Sequence, residues 1–527
     1  MFLGLLGILL SLVLLITLAY RGVTIVVAAP LCALVALVFS GAPILANYTE
    51  VFMPALAGFI QQYFPMFLTG AIFGRLMTMA GYAKDIAQVM TRLLGPQRAI
   101  LATVLTTGLL TYGGISLFVV VFVMFPLTRE LFRAADIPRR LIPGTIAHGM
   151  LTFTMTALPG SPQVQNIIPG QAFQTTTFAA PGLGLLGGAV TFVLGMLWLE
   201  YRKRKLMAAG ESFTDPTEQE RRAGVGDVRD LDGAGAAGAG ADGRSPGDGT
   251  VGDGGGGDHG GAQRQARTSI LTREQDRGEV RRREVPGDDE EQLVPAHHVL
   301  SFIPILLVFV VNLSFTMVIL PGLNWDYLAD EQFGGITLDD RLSTWAVICA
   351  MVIAILSILV MNIRHLRWIG HGLVHGAKSA LLPIFNTASE VGYGAVIASL
   401  AAFTLIRDGI FTVSGNALVA TAISTSTISG VTGSASGGMT IALNALGDDL
   451  RQLAVDQGIS LEAMHRITAM ASGGFDSMPH NGAVITLILV CGLTHREAYK
   501  DVGVISLLIP VCVTAALVPV VLLVGSF

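Results

Sequence analysis

The sequence predicts an all-α integral membrane protein with many spans, two internal repeats and helices that break inside the bilayer. Three observations predict it. Of 527 residues, 52% are hydrophobic and only 13% charged, and mean hydropathy is +0.63; a soluble domain carries about 25% charge. Apolar stretches recur over residues 1–199 and again over 299–527, with a Gly-rich charged tract between them. Polar, Pro-containing interruptions also stand inside apolar sequence at matching places in the two halves, where a continuous span would not carry them.

The apolar segments come first. Those near 20 residues are long enough to cross the hydrocarbon core. They are 3–19, 23–39, 99–125, 142–158, 179–199, 300–320, 345–361 and 504–524, with shorter ones at 391–405, 418–428 and 485–493. Several are interrupted by Gly or Pro, so about ten to fourteen membrane-embedded segments are expected, some of them broken or re-entrant. The N-terminal stretch lacks a basic region and a small-residue cleavage site, and reads as a retained transmembrane helix.

Residues 1–205 form the first membrane half and 296–527 the second. The tract between, 206–295, is Gly-rich, charged and almost free of aromatics. It cannot bury enough apolar surface to fold and reads as a disordered linker. The run Arg202-Lys-Arg-Lys205 just before it places it on the cytoplasmic side by the positive-inside rule.

The halves resemble each other. Pro65-Met-Phe-Leu-Thr69 returns 318 residues on as Pro383-Ile-Phe-Asn-Thr387. A Gly/Ser-rich break follows in each half, at 111–116 and at 432–438, and then a Pro-containing polar break, at 158–166 and at 475–481. Three elements in one order at nearly one offset read as an internal repeat. Its orientation turns on the number of spans per half.

Interruptions paired in this way mark transport sites at a repeat interface. In the first, Leu158-Pro-Gly-Ser-Pro-Gln-Val-Gln-Asn166, the side chains Ser161, Gln163 and Asn166 offer neutral donors and acceptors that can hold a carboxylate without a buried cation; the alternative is an extramembrane loop. In the second half, Ser434 and Ser436 offer hydroxyls among glycines that admit a ligand, or that serve close helix packing. Glu390 is either a carrier of a coupling proton or a headgroup-level anchor at a helix end. Asp476 and His480 are ionisable groups at membrane depth, where charge is costly and usually functional. They form either a proton relay or a hydrogen bond that holds the break together. Gly473 and Gly474 are expected to interrupt the helix before them. Asn481 either binds a substrate hydroxyl or caps the next helix.

Other polar residues read more simply. His148 is a core histidine, Asp136, Arg139 and Arg140 set topology, and Arg407 pairs locally with Asp408. Cys32, Cys349, Cys491 and Cys512 stand alone in apolar segments as small buried hydrophobes, with no metal-ligand spacing. No metal site or cofactor is expected. His371 and His375 lack a third ligand. With neither HExxH nor GxSxG, an enzyme is disfavoured, and no selectivity-filter sequence argues for a channel. The scattered basic residues show no nucleic-acid pattern.

The segments TYGGISLFVVVFVMFPL, LFRAADIPRRLIPGTIA, FTMTALPGSPQVQNIIP, PIFNTASEVGYGAV, GSASGGMTIAL and MASGGFDSMPHNGAVITLILVCGLTHREAYKD resemble the gluconate:proton symporter (GntP) family, most nearly its D-β-hydroxybutyrate and short hydroxy acid branch. The resemblance spans most of both halves. It implies inverted repeats of the ion-transporter superfamily type, a small organic anion as substrate, H+ as coupling ion, a homodimer and a multi-pass place in the cytoplasmic membrane. Sodium coupling, or sodium/proton exchange on the same fold, stays open alongside it. On this reading Ser161, Gln163, Asn166, Ser434, Ser436 and Asn481 bind substrate, and Glu390, Asp476 and His480 serve ion coupling. The long linker departs from compact members of the family.

Overall fold

The computed structural model describes residues 2–21, 23–213 and 300–526, and every regular element among them is helical. Most of the tract read as a linker, from residue 214 on, lies outside the described residues. The helix before it runs on to Ala208, past the expected boundary at 205.

The first half contains α1 (Phe2–Tyr20), α2 (Ile25–Ser40), α3 (Ile44–Met79), α4 (Tyr82–Leu94), α5 (Ala99–Tyr112), α6 (Leu117–Ala134), α7 (Ile142–Met150), α8 (Phe153–Thr156), α9 (Ile168–Phe173) and α10 (Pro181–Ala208). The second contains α11 (Leu300–Ile319), α12 (Leu342–Met361), α13 (Leu366–Ser399), α14 (Phe403–Val413), α15 (Ala417–Thr432), α16 (Ala435–Asp456), α17 (Leu461–Asp476), α18 (Gly482–Val490) and α19 (His495–Val524). The order is the same in each: two apolar helices, a long helix with an internal proline (Pro65 in α3, Pro383 in α13), a short one, two helices parted at a glycine, a broken element, and a long final span. A buried hydroxyl ladder on α5, Thr103, Thr107 and Thr111, returns on α15 as Thr421, Thr425 and Ser429, at the same 318-residue offset as the two prolines.

Two helical groups result. In one, α3 lies along α13, with α2 against α13, α12 against α3, α1 on α2 and α11 on α12. In the other, α15 packs on α16 and α17, α5 on α7, and α19 on α17 and α10. The groups meet where α13 packs on α16. Arg202, near the end of α10, pairs with Asp501 at the start of α19 through Nε–Oδ1 at 2.6 Å and Nη2–Oδ2 at 3.1 Å. At the opposite end, Gly187 of α10 lies against Leu517 of α19. These two final spans therefore run antiparallel.

Several sequence expectations change. The stretch 99–125 is two helices, because Gly113–Ser116 turns the chain between α5 and α6, with Gly114 at φ +88°. The stretch 142–158 divides into α7 and α8. The stretch 391–405 contains a bend of 87° between α13 and α14. Helix α3, 36 residues long, was not among the expected spans, since Gln61, Gln62 and Arg75 dilute its apolar run. Gly473 and Gly474 do not break α17, which continues to Asp476. They give close helix contact instead, and a Cβ on Gly473 would lie 2.6 Å from Thr156 Cγ2. Arg407 pairs with Asp449 at 2.6 Å, not with its neighbour Asp408. Cys512 is exposed on the outer surface of α19, unlike the buried Cys32 and Cys491. His148 is a core residue, stacked on Phe192 with Nε2 at 3.1 Å from the Phe192 carbonyl.

Candidate functional site

The second break is built from four helix ends. Helix α15 stops at Gly433, whose φ of +66° suits glycine, and Ser434 then caps α16 by accepting the Gly437 N–H at 3.1 Å. Helix α17 stops at Asp476, and Asn481 caps α18 by accepting the Val484 N–H at 2.9 Å. The Asn481 amide also donates to Asp476 Oδ1 at 2.7 Å and to the Gly433 carbonyl at 2.8 Å. One asparagine thus closes the break and ties it to the end of α15. Asp476 also accepts the Ala435 N–H at the start of α16. Caps of this kind satisfy the donors that a helix N-terminus leaves open.

Glu390 joins this cluster from α13, in the other helical group. It lies well inside that helix, not at its end, and is buried. Its carboxylate reaches the Ser434 hydroxyl and lies in the field of Asp476. Its Oε2 is buried with no hydrogen-bond partner. Glycine opposite it leaves the carboxylate its place: a Cβ on Gly437 would stand 1.8 Å from Oε2 and displace it. The His480 ring lies against Gly433, where a Cβ would meet its Cδ2 at 2.7 Å. Glu390, Ser434, Asp476, His480 and Asn481 are therefore brought together. Ser436 is half-buried in the first turn of α16, and its carbonyl accepts the Thr440 hydroxyl at 2.8 Å.

The first break is a separate cluster. Ser161 Oγ donates to the Thr154 carbonyl at 3.0 Å, and Gln163 Nε2 to the Thr111 carbonyl at 2.7 Å. Asn166 Nδ2 donates to the carbonyls of Ser161 and Thr177, both at 2.9 Å. Tyr112 and Asn312 hold the carbonyls of Pro159 and Gly160. The three expected residues do meet, but their polar atoms are largely engaged in shaping the loop.

A buried cation adjoins the first break, where the sequence suggested neutral groups alone. Arg466, on α17 and 0% exposed, donates through Nη1 to Asn166 Oδ1 at 2.8 Å. Its other donors go to backbone carbonyls of Thr177 and Ala179. No carboxylate pairs with it among the described residues. It was missed because it sits in Leu461–His465-Arg466–Met470, where one cation in a half-polar helix start reads as a membrane-edge charge. The spacing from Arg466 to Asp476 on one helix puts the buried cation and the buried Asp476 carboxylate about 15 Å apart along its axis.

No family model matches this sequence. The uncharacterized transporter YxjC of Bacillus subtilis (strain 168) is 39% identical to it over 508 residues, which cover 95% of each chain. The chain belongs to the same transporter family. It is accordingly a multi-pass membrane transporter and not an enzyme, and moves a small molecule across a bilayer.

Proposed function

We propose that this transporter is a secondary symporter that couples uptake of a small hydroxy-monocarboxylate, such as D-β-hydroxybutyrate or gluconate, to protons across the cytoplasmic membrane. The observation that carries the coupling is Glu390. Its unbonded Oε2 is buried beside Asp476 at a helix break, and it comes from the helical group opposite to Asp476. Two buried acidic groups at the place where the helical groups join, one of them with an oxygen that has no hydrogen-bond partner, suit the carriage of a coupling proton. Protonation there changes the charge at the contact between the two groups, which is where a relative movement has to be controlled.

The substrate carboxylate belongs at the first break, near the positive charge of Arg466, with Ser161, Gln163 and Asn166 shaping the loop that receives it. Asn481 and Ser434 line the side toward the coupling pair, and His480 is the exchange partner for the proton. The resemblance to the gluconate:proton symporter family supports the substrate class and a homodimer. The matching element order and the antiparallel α10 and α19 support two inverted repeats.

The test is uptake of labelled D-β-hydroxybutyrate into proteoliposomes under a pH gradient and, separately, under a sodium gradient, with unlabelled gluconate as competitor. The Glu390→Gln variant keeps the shape and removes the titration. It is expected to abolish uptake driven by the pH gradient while leaving exchange of internal for external substrate measurable. Uptake that requires sodium at fixed pH would move the carboxylates and the Ser434 hydroxyl to the role of hard oxygen ligands.

A further inference from the structure

The second arm of each broken element docks on the other half of the chain. Helix α9, from the first half, packs against α16 and α17, and α18, from the second, packs against α6 and α7. At the far end of each docked arm an arginine from the receiving half closes the turn. Arg139, just before α7, donates through Nη2 to the carbonyls of Cys491 at 2.6 Å and Gly492 at 2.9 Å, immediately past α18. Arg466, on α17, donates to the carbonyls of Thr177 and Ala179, at 3.2 and 2.7 Å through Nη2, in the turn between α9 and α10. The two contacts are the same device used in opposite directions.

The carbonyls of Cys491 and Gly492, just past the end of α18, lack intrahelical partners and carry partial negative charge, so a cation is favoured there; at 175–180 the Arg466 guanidinium instead gathers loop carbonyls, that of Thr177 together with the Asn166 amide. In each contact one guanidinium nitrogen, Nη2, donates to both carbonyls, and in Arg466 the Nη1 and Nε donors reach further acceptors, a spread that a compact ammonium lacks. Arg466 also holds Asn166 at the first break, so one side chain fixes both the break and the turn beyond its second arm. Gly492 is fitted to Arg139: its φ is +62°, and a Cβ would lie 2.5 Å from Nη2.

We propose that Arg139 and Arg466 are reciprocal positioning residues that lock the two broken elements into one body, so that both breaks move together during transport. The turnover assay below rests on the symport reading; the exchange measurement needs no substrate. Full-length protein in nanodiscs would be followed by hydrogen exchange in residues 175–180 and 491–494. Arg466→Gln is expected to speed exchange at 175–180, and Arg139→Gln or Gly492→Ala at 491–494, with α3 and α13 unchanged as a check on folding. In proteoliposomes taking up labelled D-β-hydroxybutyrate, Arg139→Gln and Gly492→Ala are each expected to lower Vmax at least about tenfold with KM within about twofold, since displaced groups lose rate more than affinity; Arg466→Gln, which also removes the charge near the substrate carboxylate, is expected to lower Vmax as much and to raise KM besides. Arg466→Lys falls between, keeping charge without the spread of donors.

Unchanged exchange at these turns overturns the proposal. So does a normal Vmax in a folded variant. In Arg139→Gln or Gly492→Ala, a raised KM with Vmax kept also overturns it, and would place that turn at the substrate. If the wild type takes up no D-β-hydroxybutyrate, the substrate reading fails and the exchange result alone decides the arginines.

Discussion

Replacing Gly437 by Ala moves the Glu390 carboxylate without altering its chemistry. The added Cβ would stand 1.8 Å from Oε2, 2.8 Å from Cδ and 3.1 Å from Cβ of Glu390, whereas ordinary contact begins near 3.4 Å. The oxygen must therefore retreat by about 1.6 Å, and the side chain must turn with it. Alanine in a helix regains about 1 kcal/mol over glycine. An off-rotamer side chain costs about 0.5–1.5 kcal/mol. These nearly cancel, so the fold should hold while the carboxylate loses its place. A misplacement of about 1 Å at a reacting group costs on the order of 100-fold in rate, and uptake driven by the pH gradient should fall by that order. Gly447→Ala on the same helix is the control, because its nearest neighbours would be 3.8 Å away. The assay is proteoliposome uptake beside a thermal-unfolding measurement on each variant. Wild-type uptake by folded Gly437→Ala would refute the claim that the position of Glu390 sets coupling.

Two further outcomes concern stability. Asp501→Asn leaves Arg202 buried with no charge partner and should destabilise by about 3–5 kcal/mol; the double change Arg202→Met with Asp501→Leu should recover most of the lost melting temperature. Gly149→Ala would put a Cβ 2.6 Å from Thr107 Cβ and 2.7 Å from the Val104 carbonyl, which is backbone and cannot give way. It should cost about 1–3 kcal/mol net, seen as a lower melting temperature and as loss of monodisperse protein.

Much of this architecture was legible in the sequence because a bilayer imposes a plain rule. Polar groups and prolines inside apolar runs stand out, and they located both breaks and brought Glu390, Asp476, His480 and Asn481 to notice. What stayed hidden were relations between distant residues. Glycines read as helix breakers at 473 and 474 proved to be contact points, since the same residue serves both purposes and only the neighbouring Thr156 distinguishes them. The offset of 318 was seen at the prolines but not at the hydroxyl ladder of α5 and α15, whose signal, three hydroxyl residues at four-residue spacing in each half, was present. Arg466 carried no local mark of burial. Its meaning lies in carbonyls almost three hundred residues earlier in the chain.

The docking of each second arm on the opposite half bears on how the molecule is made. Asn166 meets Arg466 only after 300 more residues have been synthesised. At roughly 5–20 residues per second that interval is about 15–60 s. Until then the emerging first half holds an unclasped polar loop in the membrane, with α9 lacking the surface it will cover. Biogenesis thus cannot proceed one half at a time, and the nascent chain has to wait, threaded and unfinished, for its own latter end.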